Sequence, residues 1–347
     1  MNKVFFSISD SLGGAEQLIM KLAKKHQKNS KVVFLLKKSN NTWVEQGLEV
    51  VYCDGNLWKF IKTCTNKKYD FVFSSHLMMN ALLGFLRTVR LLKTDKLICR
   101  ESTTVFERYA GLKLLKYKVA YYIGYRNIDL LITQTSLMES ILLEKATYLE
   151  NRMTIKTIPN LFEFPNHQVK KLDIDFPYIV SAGRLIKEKG FDLLIKSFYD
   201  IKQLYPNYKL IILGEGKERA TLENLIENLN ITNDVLLQGF VENVYPYFKT
   251  AQLCVVSSRR EGFPNVLLQM MSQNNKVVST LCAGDIDKIP NIITVAPNSA
   301  QELTKGIINA LEKEEDNKES FRAYLKSRDV ESYYKKIFEA IQENKQS

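Results

Sequence analysis

Short runs of β-branched and aromatic residues, each followed by a stretch with helical spacing of apolar positions, recur along this chain, and no other feature restricts its fold as much. The first half carries K-V-F-F-S-I-S (3–9), K-V-V-F-L-L (31–36), E-V-V-Y-C (49–53), D-F-V-F-S-S (70–75), K-L-I-C-R (96–100) and D-L-L-I-T (129–133). Helical patterns separate them at 14–28, 56–66 and 77–92, and a long one runs from after residue 100 to about 126. After residue 175 the rhythm restarts with P-Y-I-V-S-A-G, Y-K-L-I-I-L-G-E-G, V-L-L-Q-G-F, Q-L-C-V-V-S-S and K-V-V-S-T. Strand and helix in alternation predict β-α-β units and parallel sheets. At 347 residues the chain exceeds what one core usually fills. Two doubly wound α/β domains are the simplest account.

The stretch 159–176, P-N-L-F-E-F-P-N-H-Q-V-K-K-L-D-I-D-F, holds two P-N pairs and no sustained period, which marks a linker. The domains are therefore expected at 1–168 and 169–329, with a last helix at 330–347 packing back across the junction. No run of about 18 apolar residues is present to span a bilayer. The N-terminus is charged within three residues and then strand-like, which does not fit a signal peptide. Five scattered cysteines, without C-x-x-C, suit a reducing cytoplasm. The formal net charge is +11, and residues 1–168 hold 25 Lys and Arg against 14 Asp and Glu, so the later half is neutral. A basic first half attracts nucleic acid, anionic lipid or a phosphate-bearing acceptor.

Four stretches place chemistry-bearing residues at strand ends. In S-I-S-D-S-L-G-G-A-E, Gly13 and Gly14 let a backbone approach a ligand where a helix begins, with Glu16 following; a plain tight turn fits equally well. In S-A-G-R-L-I-K-E-K-G, Arg184 and Lys189 follow Gly183 at a strand's C-terminal end, and two such cations suit a diphosphate as well as they suit solvent. In R-R-E-G-F-P-N-V-L-L-Q-M-M, Pro264 suits the first position of a helix. The amides of Asn265 and Val266 then open that helix, with Glu261 just before it and Gln269 within its apolar run. His76 ends the strand of F-S-S-H-L-M-M-N, where a packing histidine is the plainer alternative. A fifth stretch, 107–126, interleaves Arg108, Lys113, Lys116, Lys118 and Arg126 with five tyrosines, as a membrane-surface helix or a tyrosine-packed core helix would.

Taken in order, G-G-A-E at 13–16, P-N at 159–160, A-G-R-L-x-K-E-K-G at 182–190, L-G-E-G at 213–216 and E-G-F-P-N-V-L-L-Q at 261–269 resemble the family 4 retaining glycosyltransferases. The resemblance covers nearly the whole chain. It implies the GT-B fold, two Rossmann-like domains with the active site in the cleft between them. By the same resemblance, Arg184 and Lys189 neutralise a leaving diphosphate and Glu261 holds hydroxyls of the donor sugar. Asn265 and Val266 add amides there, within the Gly262–Phe263–Pro264 turn, and Gly214 belongs to the L-G-E-G element. Gly239, Phe240 and Val241 fall where the family cradles the base. Gly14 approaches the diphosphate from the facing domain, and His76 lies near the reacting sugar carbon. The last residue of the family's E-x7-E element is here Gln269, whose neutral amide should weaken the grip on a ribose by roughly 1 kcal/mol.

The function implied is retaining transfer of a hexose or N-acetylhexosamine from a nucleotide diphosphate sugar, UDP-linked, onto a glycan acceptor. That acceptor is expected on a polyprenyl diphosphate, at the anionic inner face of the cytoplasmic membrane, in surface polysaccharide synthesis. No metal or other cofactor is expected. The pairs Asp173/Asp175 and Asp285/Asp287 match D-x-D but read as solvated acids. A nucleotide-sugar epimerase of the same fold and a catalytically silent partner subunit are the alternatives. Nucleic acid is not an expected partner, because no zinc spacing, RNP-like motif or helix-turn-helix signature is present.

Overall fold

The computed structural model describes residues 2–166, 168–314 and 316–343. They form two units, Met1–Leu161 with Asp329–Ser347, and Phe162–Arg328. In the first unit β1 (Lys3–Ser7), α1 (Gly14–Lys25), β2 (Ser30–Phe34), α2 (Thr42–Glu45), β3 (Glu49–Tyr52) and α3 (Leu57–Thr65) lead to β4 (Tyr69–Ser74) and α4 (Leu77–Thr88). Then come β5 (Thr94–Arg100), α5 (Val105–Arg108), α6 (Gly111–Gly124), β6 (Leu130–Thr133), α7 (Ser136–Lys145) and β7 (Thr154–Thr157). The sheet runs β3-β2-β1-β4-β5-β6-β7 and its recorded pairs are all parallel.

The second unit holds β8 (Tyr178–Ala182), α8 (Phe191–Leu204), β9 (Lys209–Leu213), α9 (Arg219–Asn228), β10 (Val235–Gly239) and α10 (Tyr245–Thr250). It continues with β11 (Leu253–Val256), α11 (Asn265–Met271), β12 (Val277–Thr280), β13 (Ile293–Val295), α12 (Ala300–Glu312) and α13 (Lys318–Lys326). Its sheet, β10-β9-β8-β11-β12-β13, is parallel as well. Both units are thus doubly wound α/β, as the alternation predicts. In each the strand order reverses beside its first strand, between β1 and β4 and between β8 and β11, and ligands of open α/β sheets bind outside that point.

The strands are buried on both faces because helices cover both. Along β1, Val4 and Phe6 enter one core with Phe60 of α3 and Leu83 of α4, while Phe5 enters the other with Leu18 and Leu22 of α1. A last helix, α14 (Val330–Glu343), completes this second core with Tyr333, Tyr334 and Ile337. The Tyr334 hydroxyl donates to the Leu22 carbonyl at 2.9 Å, and Lys3 Nζ sits 4.4 Å over the Tyr334 ring. Asn56, Thr135 and Ser299 cap α3, α7 and α12 through their side chains, so those helices begin where a preferred cap stands.

Four boundaries differ from those read off the sequence. The units divide after Leu161 rather than at residue 168, because Phe162 joins the core of the second unit and its amide donates to the Arg328 carbonyl at 2.7 Å. The long helix expected up to about residue 126 is broken into α5 and α6. Tyr109 and Ala110 are extended and Gly111 takes a φ of 57°, a conformation through which no right-handed helix continues. Two short strands, β7 and β13, carry no strong apolar run and were not anticipated. Pro264 stands one position outside α11 with ψ 97°, rather than within its first turn.

Candidate active site

In the second unit, β8 and β11 pair through Ile179–Leu253 and Val180–Cys254, so the loops that follow them emerge side by side. The first carries Gly183 and Arg184, then a single tight turn, Lys187–Lys189, ended by Gly190 at φ 65°. The second runs from Ser257 to Pro264 and opens α11. Gly190 has to be glycine on two counts: its φ is left-handed, and a Cβ there would stand 2.2 Å from the Ser257 carbonyl oxygen. The two loops touch backbone to backbone at that point.

Above this contact Lys189 Nζ and Glu261 Oε1 pair at 2.9 Å, and the Ser258 hydroxyl donates to the same carboxylate oxygen at 2.5 Å. The two side chains are 17% and 16% exposed, so the pair is largely withdrawn from water while still reachable. The Lys189 stem passes Gly183, with Cδ 3.3 Å from where a Cβ would project. Arg184 is exposed and has no ion pair among the described residues. Gly183, Gly214 and Gly239 are tied together by backbone bonds, Gly183 N–H to Leu213 O at 2.9 Å and Gly214 N–H to Gly239 O at 2.7 Å. Phe240, beside them, is 80% exposed, and Val241 is partly buried.

In α11, Leu267, Leu268, Met270 and Met271 point into the core, and Asn265, Val266 and Gln269 are half-buried on the other side. The Gln269 side chain bonds the Tyr245 hydroxyl, whose pKa burial holds above the ordinary value. Phe263 is buried under the Arg328 guanidinium, 5.3 Å from its ring centre, and Gly262 is half-buried. Asp285 pairs with Lys288 at 2.6 Å. Among the described residues no group of three or more His, Cys, Asp and Glu is placed to hold a metal ion.

In the first unit the corresponding switch-point end carries Gly13 and Gly14 after β1 and His76 after β4, and β1 and β4 are paired. Gly13 caps α1, and Glu16 folds its carboxylate back over it. His76 is exposed at the cap of α4, with its pKa lowered by desolvation, so the ring is neutral at pH 7. Beneath this end lies a buried polar network that sequence reasoning missed. Asn80 accepts from the Ser74 hydroxyl at 2.5 Å and donates to the Arg100 carbonyl and the Tyr125 hydroxyl at 3.0 and 3.2 Å. Tyr125 donates to Glu101, whose pKa burial pushes up to about 7 against the pull of its hydrogen bonds and of Arg100. Arg100 donates to Ser75 at 2.7 Å and to Asn160, the second residue of the P-N pair, at 2.5 Å. Its Nε and the Tyr333 hydroxyl, the two polar atoms of this region without a well-aligned bond, face each other.

The cations named on 107–126 are all exposed. Only Tyr121 and Gly124 of α6 are buried, and Leu112, Leu115, Val119, Tyr122 and Ile123 are between 47% and 85% exposed. At 100° per residue these five share one helical face, with Lys113 and Lys118 on its two flanks. Lys113 Nζ also lies 4.3 Å over the Tyr109 ring.

Residues 163–328, nearly the whole second unit, match the family model of the glycosyl transferases group 1. The second unit is therefore a glycosyl transferases group 1 domain, and the chain as a whole has the GT-B fold. The chain is 29% identical over 269 residues to an uncharacterized glycosyltransferase of Methanocaldococcus jannaschii, a match covering 73% of this chain and 64% of that protein. It is 40% identical over 103 residues to the N-acetylgalactosamine-N,N'-diacetylbacillosaminyl-diphospho-undecaprenol 4-alpha-N-acetylgalactosaminyltransferase of Campylobacter jejuni, covering 30% of this chain and 27% of that one. The chain thus spans less than two thirds of the length of the curated relatives it matches. In fold it resembles HepE of Anabaena, solved in complex with UDP, with a TM-score of 0.82, 19% identity, and 99% and 100% of the two chains covered.

Proposed function

We propose that the chain moves a hexose or N-acetylhexosamine from a UDP-linked sugar onto a lipid-linked glycan, with retention of anomeric configuration. The observation that carries this reading is the Lys189–Glu261 pair at the switch point of the group 1 unit, on whose first loop Arg184 is also exposed. The ammonium and guanidinium take up the charge that develops on the diphosphate as the sugar leaves, and such stabilisation is strongest where water is scarce. As the incoming phosphate takes up the Lys189 ammonium, Glu261 is released to accept hydrogen bonds from sugar hydroxyls. The departing phosphate then removes the acceptor proton on the face it vacates, which retains configuration without a protein nucleophile. In the same reading Asn265 and Val266 contribute amides to the diphosphate and Gln269 meets the ribose. Gly239, Phe240 and Val241 frame the base. The UDP found with HepE and the undecaprenol diphosphate acceptor in the name of the Campylobacter relative support the donor and acceptor classes.

The test is a thermal-shift panel of UDP-, GDP- and ADP-sugars, because a ligand of the native state alone raises its melting temperature. UDP-sugars should raise the midpoint by several degrees at about a hundred times Kd, and their slow hydrolysis should persist in chelator. A panel without any shift and without hydrolysis would sink the proposal; activity restored by manganese after chelation would give the charge to a metal instead.

The acceptor side of the proposal is an anionic membrane surface met by α6. Its exposed apolar face, flanked by lysines, has the amphipathic pattern of a helix lying in the interface. Vesicles containing phosphatidylglycerol should bind the protein, and Lys113→Glu with Lys116→Glu should weaken that binding by about tenfold or more. Equal binding by the reversed variant would leave α6 as a packing element only.

A further inference from the structure

We propose that Arg259 and Asp192 form a clasp that positions the Lys189–Glu261 pair, and that neither residue meets the donor itself. The inference rests on the glycosyl-transfer reading above and adds to it two residues that reading does not use. Lys189 and Glu261 stand on two separate loops, 72 residues apart in sequence, and neither lies in a regular strand or α-helix that would fix it. A displacement of about 1 Å at reacting groups can cost on the order of a hundredfold in rate, so something has to hold the two loops in register.

Arg259 does this from the second loop. Its Nη1 and Nη2 donate to Oδ1 and Oδ2 of Asp192 at 2.7 Å each, the planar two-bond geometry that fixes orientation as well as distance. Nη1 also donates to the Lys187 carbonyl at 2.8 Å, and the Arg259 amide donates to the Glu188 carbonyl at 2.7 Å. The Ser257 hydroxyl donates to the Lys189 carbonyl at 2.9 Å. The turn that bears Lys189 is thus bonded to the second loop at each of its three residues. Asp192 is itself fixed, since it lies in the first turn of α8 and accepts that turn's amides. Burial works against its ionisation, yet the Arg259 hydrogen bonds and charge outweigh burial and keep the carboxyl below its usual range. With its fork filled by a carboxylate and a carbonyl, Arg259 has little left to offer a phosphate. Arg184, exposed and unpaired among the described residues, is free to do so.

Arg259→Met removes the fork, and Arg259→Lys keeps the charge and one of its bonds. Both are compared with the parent full-length chain in steady-state hydrolysis of UDP-sugar, with the melting midpoint recorded for each. Arg259→Met should lower kcat by about tenfold to a hundredfold with KM within roughly threefold, since the misplaced cation matters most when charge has developed. Arg259→Lys should recover part of the loss, and both midpoints should stay close to the parent's. Unchanged kcat, or a loss of activity that follows the loss of folded protein, overturns the clasp. If the parent hydrolyses no UDP-sugar, the functional reading has failed, and the clasp is then judged by acylation of Lys189 with an amine-reactive reagent. In that case Arg259→Met should acylate Lys189 several times faster than the parent, and an equal rate overturns the clasp.

Discussion

Replacing Lys189 by alanine should lower turnover by about two orders of magnitude or more at saturating donor, the loss seen when a preorganised charge is taken from a transition state. The side chain lies largely out of water beside Glu261, and its ammonium is the cation that those loops hold in place. Removing it leaves Arg184 as the remaining cation for the diphosphate and leaves the Glu261 carboxylate beside the Ser258 hydroxyl. Binding of UDP should weaken less than kcat falls, because leaving-group charge is greatest at the transition state. Single-turnover measurement of UDP-sugar consumption reads this directly. Unchanged turnover with donor saturating would remove the cation from the mechanism, whatever the melting curve shows.

The second large effect concerns stability. Glu101 is buried beneath the His76 end of the first unit, and burial lifts its pKa from an ordinary 4.5 to about 7. Between those values the folded chain holds the proton that the unfolded chain has already lost. Stability from this group is therefore complete below about pH 4.5 and falls as pH rises, levelling off above about 7. The cost at high pH is on the order of 3 kcal/mol. Glu101→Gln keeps an acceptor for the Tyr125 hydroxyl and carries no charge. It should abolish that slope and leave the variant more stable than the parent at pH 8, by up to the same order. Urea unfolding at pH 5 and pH 8 measures both; a variant with the parent's slope would show that Glu101 is ionised in the fold at no cost.

The elements legible in the sequence were those whose cause is local. Strands β1, β2, β4, β8 and β9 are apolar runs closed by polar loops, and a parallel sheet covered on both faces demands such runs. The short strands β7 and β13 are T-I-K-T and I-T-V, each at the end of its sheet, where half-exposed residues suffice and little pattern remains. The break before α6 falls where Tyr109 packs tilted against Tyr117, their ring centres 4.9 Å apart, a contact that helical spacing does not reveal. At the site, Arg184, Lys189 and Glu261 were visible because strand ends are where α/β sheets hold ligands. Asp192 and Arg259 were not, since a first-turn acid and one arginine of a charged pair acquire meaning only when the loops meet. In the sequence K-G-F-D stands at 189–192 and R-R-E at 259–261, and nothing in either stretch points to the other. The same holds for Glu101 and Arg100, whose burial could not be read from charges that normally face water.

The last helix of the first unit is made after everything in the second. Until the ribosome has delivered residues 162–328, Phe5, Phe71 and Leu18 have no Tyr334 or Ile337 to close over them. A nascent chain stalled at residue 328 should therefore carry a finished group 1 unit beside an N-terminal sheet with one open face. Such a half-closed sheet is a natural client for chaperones and a natural target for proteases. Truncations that spare every residue of the proposed site but remove α14 should fail for this reason, before any question of chemistry arises.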